Sequence, residues 1–184
     1  VASHSKKAIE TNAHLVLINE SGLFLNPLVR RAWALKGRTP LLDADGGHRK
    51  KVSVIGGISV SPNSRRLGFY FATEPDGFYT AAKVVEYLRD LLRHLRGPVI
   101  VVWDRGPNHR GEVIREFLRK NKRLRLEMLS PWAPDLNPAE AVWSWLKYGQ
   151  LANFAPHDLE QLDDQIVDRL IELKFSPKLL ILLR

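Results

Sequence analysis

Residues 98–104, PVIVVWD, set the strongest constraint on the fold, because a nearly continuous apolar run of strand length is the pattern of a strand buried on both faces. Such a strand needs helices on either side, so the chain around it must alternate strands with helical segments. Residues 78–95 supply one, with Ala81, Val84, Val85, Leu88, Leu91, Leu92 and Leu95 recurring as an apolar stripe. The run HLVLIN, residues 14–19, follows the same logic as residues 98–104 and stops at a polar side chain, Asn19, as the other stops at Asp104. Both fall at strand ends, where open α/β sheets gather their sites.

The rest of the chain fits around these two strands. GLFLNP (22–27) reads as a return strand across a Ser21-Gly22 turn, and KVSVIGGISV (51–60) with RRLGFYFA (65–72) as a hairpin about Pro62-Asn63. The glycine pairs at 46–47 and 56–57 read as a turn and a strand bulge. A helix over 109–121, a strand over 124–129, a helix from Asn137 and a last amphipathic helix over 157–174 complete the order, with the tail SPKLLILLR packed on the core or on a neighbour. The expectation is an α/β fold in one domain spanning 1–184: a β-meander followed by α/β units, a mixed sheet flanked by helices.

Composition narrows the chemistry. The chain has no cysteine, which excludes disulfides, thiolate metal sites and thiol catalysis, so any metal must use oxygen or imidazole ligands. No apolar run is long enough for a membrane span, and VASHSKKAIE lacks the apolar block of a secretory signal. Basic residues outnumber acidic ones by 28 to 20, and the excess is clustered. Arg30, Arg31, Lys36 and Arg38 surround Trp33; Arg49, Lys50 and Lys51 follow a glycine turn; Arg119, Lys120, Lys122, Arg123 and Arg125 sit together. Such patches suit a polyphosphate partner, although solvated surface explains charge runs equally well.

Two residues stand out as carriers of chemistry. Asp104 closes the buried strand just before Gly106-Pro107, where it is either a ligand at the sheet rim or a turn-starting aspartate. Glu140 follows Asn137-Pro138 at capping-box spacing, which alone would account for it. The rigid run Pro131, Pro134, Asp135, Pro138 goes further, fixing where that helix begins as a positioned carboxylate requires. His109 lies close enough to Asp104 to meet a phosphate, or is a surface histidine at a helix start, with Arg105 beside it as a further candidate DNA contact; Trp132 either stacks on a base or packs in the core, and Trp143 and Leu146 read as core. No phosphate-binding GxxxxGK[ST] loop, GxSxG elbow or HExxH helix is present.

Taken together, INESG, VVWDRGPNHR and LSPWAPDLNPAEAVWSWLK resemble the catalytic domain of mariner-superfamily DDE transposases, in their bacterial insertion-sequence branch. Asp104 and Glu140 have 35 residues between them, close to that family's second-to-third acid spacing, and RAWALKGRTP resembles its basic stretch after the first motif. The resemblance implies a ribonuclease H-like fold, three acids holding two Mg2+ or Mn2+ ions, and phosphodiester hydrolysis and strand transfer at transposon ends. It makes double-stranded DNA the partner, with a homodimer on DNA, and a cytoplasmic, nucleoid-associated setting in a bacterial host. It also implies that the helix-turn-helix region preceding such domains is missing here.

Asp104 and Glu140 fall on the second and third acids of that pattern, and Asn19 falls on the first, where the family carries aspartate. An amide there removes one of three negative charges, so metal affinity and catalysis should fall. Glu20 is no substitute, because strand alternation points it to the other face. An engineered replacement and a naturally disabled copy both fit the change, the intact motifs elsewhere favouring the first, and a non-catalytic DNA-binding domain or another ribonuclease H-like nuclease are the alternative readings.

Overall fold

The computed structural model describes residues 2–39, 41–42, 50–64, 66–104, 106, 111–129 and 137–182. Its sheet has five strands in the order β3-β2-β1-β4-β5: β1 (His14–Phe24), β2 (Lys51–Val60), β3 (Leu67–Pro75), β4 (Val99–Trp103) and β5 (Leu124–Met128). The first three form an antiparallel meander, and β4 and β5 add to it in parallel. Every residue of β4 is buried, as its apolar run requires.

Helices cover both faces. On one, α2 (Ala81–His94) and α3 (Glu112–Lys120) close over Val16, Ile18, Ile55, Val99 and Val101. On the other lie α1 (Ala2–Glu10), α4 (Ala139–Trp145), α5 (Leu159–Lys174) and α6 (Pro177–Leu182), with Leu15, Leu17, Ile100 and Val102 under α1 and Val52, Val54 and Ile58 under α4 and α5. The start of α5 is fixed reciprocally: Asp158 accepts from the Gln161 amide at 2.8 Å, and the Gln161 side chain accepts from the His157 amide at 2.8 Å. Leu180 of α6 is fully buried, so the apolar tail packs on the core as expected.

Three local expectations give way. Ser21-Gly22 is not a turn; β1 runs unbroken through it, with Ser21 opposite Val54 and Gly22 opposite Ser53. The partner strand supplies ladder hydrogen bonds along the whole segment, and these outweigh the local turn preference. Gly56-Gly57 is not a bulge either, since both residues keep regular register with β1 and β3. The glycines are there because an aromatic side chain presses on each face. A Cβ at Gly56 would stand 2.8 Å from Trp143 Cη2, and one at Gly57 2.7 Å from the Tyr87 hydroxyl. Finally, α1 was not expected, because its nine residues are mostly polar and bury little beyond Ala8.

Candidate active site

Strand register brings the first two site residues together. β1 and β4 pair in parallel from His14 with Val99 to Leu17 with Val102. Carried two residues further, the same register sets Asn19 level with Asp104, on the face that Leu17 and Val102 share. Asn19 does not end its strand, however: β1 continues to Phe24 alongside β2, so the residue lies where the parallel partner stops. Glu20 belongs to the opposite face, where its charge acts on Tyr79 and helps burial raise that phenol's pKa.

The third residue arrives with α4. Asn137 is buried and bridges two elements: its Nδ2 donates to the Ile18 carbonyl at 3.0 Å, and its Oδ1 accepts from the Ala139 amide at 3.1 Å. The amide thus caps the helix and ties it to β1 one residue before Asn19. Trp143, one turn further along, settles on Gly56, and Gly56 is the cross-strand partner of Asn19. Between these two anchors Glu140 faces Asn19, and the Asn19 Nδ2 donates to Glu140 Oε1 at 2.5 Å. Glu140 therefore turns towards the sheet, where a capping box would have sent its side chain back to the helix start. The tie from Asn137 to β1 is the part of the site that sequence reasoning missed; only the capping signal was readable, since Ile18 is 119 residues away.

Two contacts orient the Asn19 amide. Its Oδ1 accepts from the Glu20 main-chain amide at 2.7 Å while its Nδ2 faces the carboxylate, and exchanging the two atoms would oppose donor to donor and acceptor to acceptor. Asp104 is exposed and accepts from the Gly106 amide at 2.8 Å, the turn-starting role anticipated for it, with the carboxylate at the rim. Beyond Trp145 the helix widens into a π-helical turn, Leu146–Gln150, closed by the Leu151 amide on the Leu146 carbonyl at 2.9 Å. That turn carries half-buried Lys147, whose pKa is held below the usual lysine value by burial, with the charge of Glu140 acting in the opposite direction.

The basic residues divide between the two ends of the sheet. A strap leaving β1 at Leu25 passes the Asn19 end, anchored by Leu28 pairing with Ala152 and by the Arg30 amide donating to Asn153 at 2.7 Å. The Arg30 guanidinium sits 5.0 Å above the Tyr148 ring, while Arg31, Trp33, Lys36 and Arg38 are exposed. Lys50 is exposed and Lys51 pairs with Phe24 beyond the site. Arg119, Lys122 and Arg123 lie at or near the other end, where β5 begins; Arg119 approaches Glu112 at 3.7 Å. Arg123 donates to the carbonyls of Leu92, Leu95 (2.6 Å) and Gly97 (2.9 Å), closing the end of α2. Arg49, Arg105, His109 and Trp132, with the run 130–136, lie outside the described residues.

As a ligand set the arrangement is incomplete. Among the described residues no three acidic, histidine or cysteine side chains are grouped to hold a metal ion. Asp104 and Glu140 offer the hard oxygens that Mg2+ or Mn2+ prefer, but Asn19 turns an N–H donor towards Glu140, so the residues present do not fit a three-acid, two-ion centre. No helix among the described residues is long and apolar enough to cross a membrane.

The fold recurs in solved structures. The Mos1 transposase paired-end complex with left transposon end superposes with a TM-score of 0.63 at 18% identity, covering 92% of this chain and 51% of that one. The Mos1 mariner paired-end complex with Mn gives 0.62 at 18%, covering 95% and 55%. The catalytic domain of Mos1 mariner transposase gives 0.59 at 16%, covering 97% of this chain and 82% of that one. The sheet is thus the ribonuclease H-like sheet of that catalytic domain, and the chain spans about half the length of the transposases in the paired-end complexes. No curated protein matches the chain. The sequence pattern of the DDE superfamily endonuclease family matches residues 14–163, a span that holds Asn19, Asp104 and Glu140, and the chain belongs to that family.

Proposed function

We propose that this chain is the catalytic core of a mariner-type transposase whose first acidic position carries an amide, a core that engages duplex DNA but is impaired in cutting it. One observation carries the reading: β-strand register sets Asn19 level with Asp104 at the carboxyl end of β4, and α4, anchored by Asn137 and Trp143, brings Glu140 onto Asn19. That is the position expected of a first, second and third acid. Asp104 and Glu140 retain the role of oxygen donors, and Asn19 occupies the seat of the missing carboxylate. With three acids in place, two Mg2+ or Mn2+ ions would supply an activated attacking oxygen and a stabilised leaving oxygen at a phosphodiester.

The chain's own residues do the positioning. Asn137 fixes the start of α4 against β1, Trp143 sets its depth on Gly56, and the exposed cations of the strap present charge to a phosphate backbone beside the site. Bringing two DNA ends together implies a homodimer on DNA, and a nucleic-acid partner implies a cytoplasmic, nucleoid-associated protein. The amide clasp serves a non-catalytic DNA-binding domain equally well, and one assay separates the two readings. Nicking of duplex DNA in Mn2+ is measured for this chain, for Asn19→Asp, and for Asn19→Asp with Asp104→Ala. Restoring the acid should raise cleavage on the order of 100-fold or more, the scale of one charged transition-state contact, and Asp104→Ala should abolish it. A restored protein that binds DNA and still does not cut is a binding domain.

A further inference from the structure

We infer that the Asn19 carboxamide stands in for a cation: it closes the site by a hydrogen bond to Glu140, so that the three positions are assembled without a divalent ion. The inference deepens the reading of Asn19, Asp104 and Glu140 as a DDE site and rests on it.

The argument begins with what two acids would do here. Asn19 is 8% exposed, and its Nδ2 lies 2.5 Å from Glu140 Oε1. Two carboxylates at that separation, one of them on exposed Glu140, repel unless they share a proton or a cation lies between them. A site with acids at both positions therefore needs a proton or a cation to close. The carboxamide removes that requirement. It keeps the shape of the acid and keeps one oxygen for the Glu20 amide at 2.7 Å, as a carboxylate would. Its other end becomes a donor, so the contact that would repel becomes a charge-assisted hydrogen bond.

The surroundings supply the rest of the compensation. Lys147 lies on the same helical run as Glu140, and the charge of Glu140 opposes the effect of burial on its ammonium. The anchors on either side of Glu140 hold α4 independently of any ion. Asn137 is bonded at both ends of its amide, and Trp143 is 3% exposed against Gly56. Both ends of the Asn137 amide thus find their partners within the chain. The site of this protein is a closed, preorganised version of one that, with acids at both positions, would need a proton or a cation to close, and it should hold DNA in the same geometry with or without metal.

Thermal unfolding without DNA tests this, read in EDTA and in millimolar Mn2+ for the wild type, Asn19→Asp, and Asn19→Asp combined with Glu140→Gln. The wild-type Tm should be the same in both. Asn19→Asp should melt lower in EDTA, by on the order of 5 °C, and recover in Mn2+. The double variant exchanges donor and acceptor across the same contact, so it should regain most of the wild-type Tm in EDTA and respond little to Mn2+. The inference is overturned if Mn2+ raises the wild-type Tm as much as that of Asn19→Asp, which would make the amide a metal ligand. It is equally overturned if Asn19→Asp melts like wild type in EDTA, or if the double variant stays as low as the single one. Cleavage plays no part in these readings, so a restored protein that fails to cut DNA would sink the transposase reading while leaving the clasp standing.

Discussion

The two ends of the sheet are each fastened by a polar side chain reaching from one element to the main chain of another, and their chemistry is opposite in character. At the end where β4 and β5 begin, a full charge does structural work: the Arg123 fork donates to three carbonyls at the close of α2, groups that a helix terminus leaves without partners. At the end where β4 stops, neutral amides do it. Asn137 bridges Ile18 and Ala139, and Asn19 clasps Glu140. A cationic cluster that resembles a phosphate-binding surface is thus partly committed to holding a helix, while an uncharged residue, Asn19, sits at a position where chemistry is expected. Charge in a sequence marks where desolvation is cheap, and says little about what the charge is for until its partners are known.

The largest expected effect tests whether the amide end depends on its aromatic anchor. Trp143→Ala should cost about 3–5 kcal/mol in urea unfolding, the range for emptying a buried tryptophan site, with α4 losing its seat on Gly56. In the Asn19→Asp background it should also abolish any restored nicking. If stability falls and nicking survives, Asn137 alone positions Glu140.

Next comes the charged end. Arg123→Ala should cost about 2 kcal/mol, since hydrogen bonds from a charged group are the stronger kind but this side chain is solvent-exposed. Arg123→Lys should recover little of it, because an ammonium lacks the fork that spans several carbonyls. Duplex DNA affinity should change far less than on substituting Arg31, Lys36 and Arg38 together. A large loss of affinity without loss of stability would make the far end a DNA surface and dissolve the contrast. Combined with Asn137→Ala, which should cost about 1–2 kcal/mol through the lost cap and the orphaned Ile18 carbonyl, Arg123→Ala should be additive to within about 0.5 kcal/mol if the two ends are independent.

How much of this was readable beforehand follows the range of the interactions. The strand at Val99–Trp103, the stripe of α2, the cap at Asn137 and the core positions Trp143 and Leu146 were legible because each is a local pattern of apolar spacing or capping chemistry. Two apolar runs each ending in a polar residue drew attention to Asn19 and Asp104, but their level placement rests on the parallel pairing of β1 with β4, and β1 runs on past Asn19. Gly22 and Gly56-Gly57 misled because the same residue serves turns, bulges and close approaches, and the aromatic rings that explain the pair come from Tyr87 and Trp143. Arg123 misled for a similar reason: its carbonyl partners are 26 to 31 residues away, on an element whose end only the fold brings near.

The smallest effect is a pH dependence confined to the charged end. His14 opens β1 beside Arg123, and its pKa is lowered from the ordinary histidine value first by burial and then by the charge of Arg123, with a backbone contact from Arg96 opposing both. A histidine whose folded pKa is depressed contributes stability that is fully present above its unfolded value of 6.5 and is lost as pH falls through the lower folded value. Stability should therefore decline below about pH 6.5 by an increment that His14→Gln removes. Arg123→Ala should shrink that increment without abolishing it, because burial is the larger cause. Urea midpoints at several pH values between neutrality and mild acid measure both. Asn137 at the other end is bonded to main-chain groups that do not titrate, so Asn137→Ala should lower the midpoint equally at every pH in that range; a change in its pH slope would show that the two ends communicate through β1.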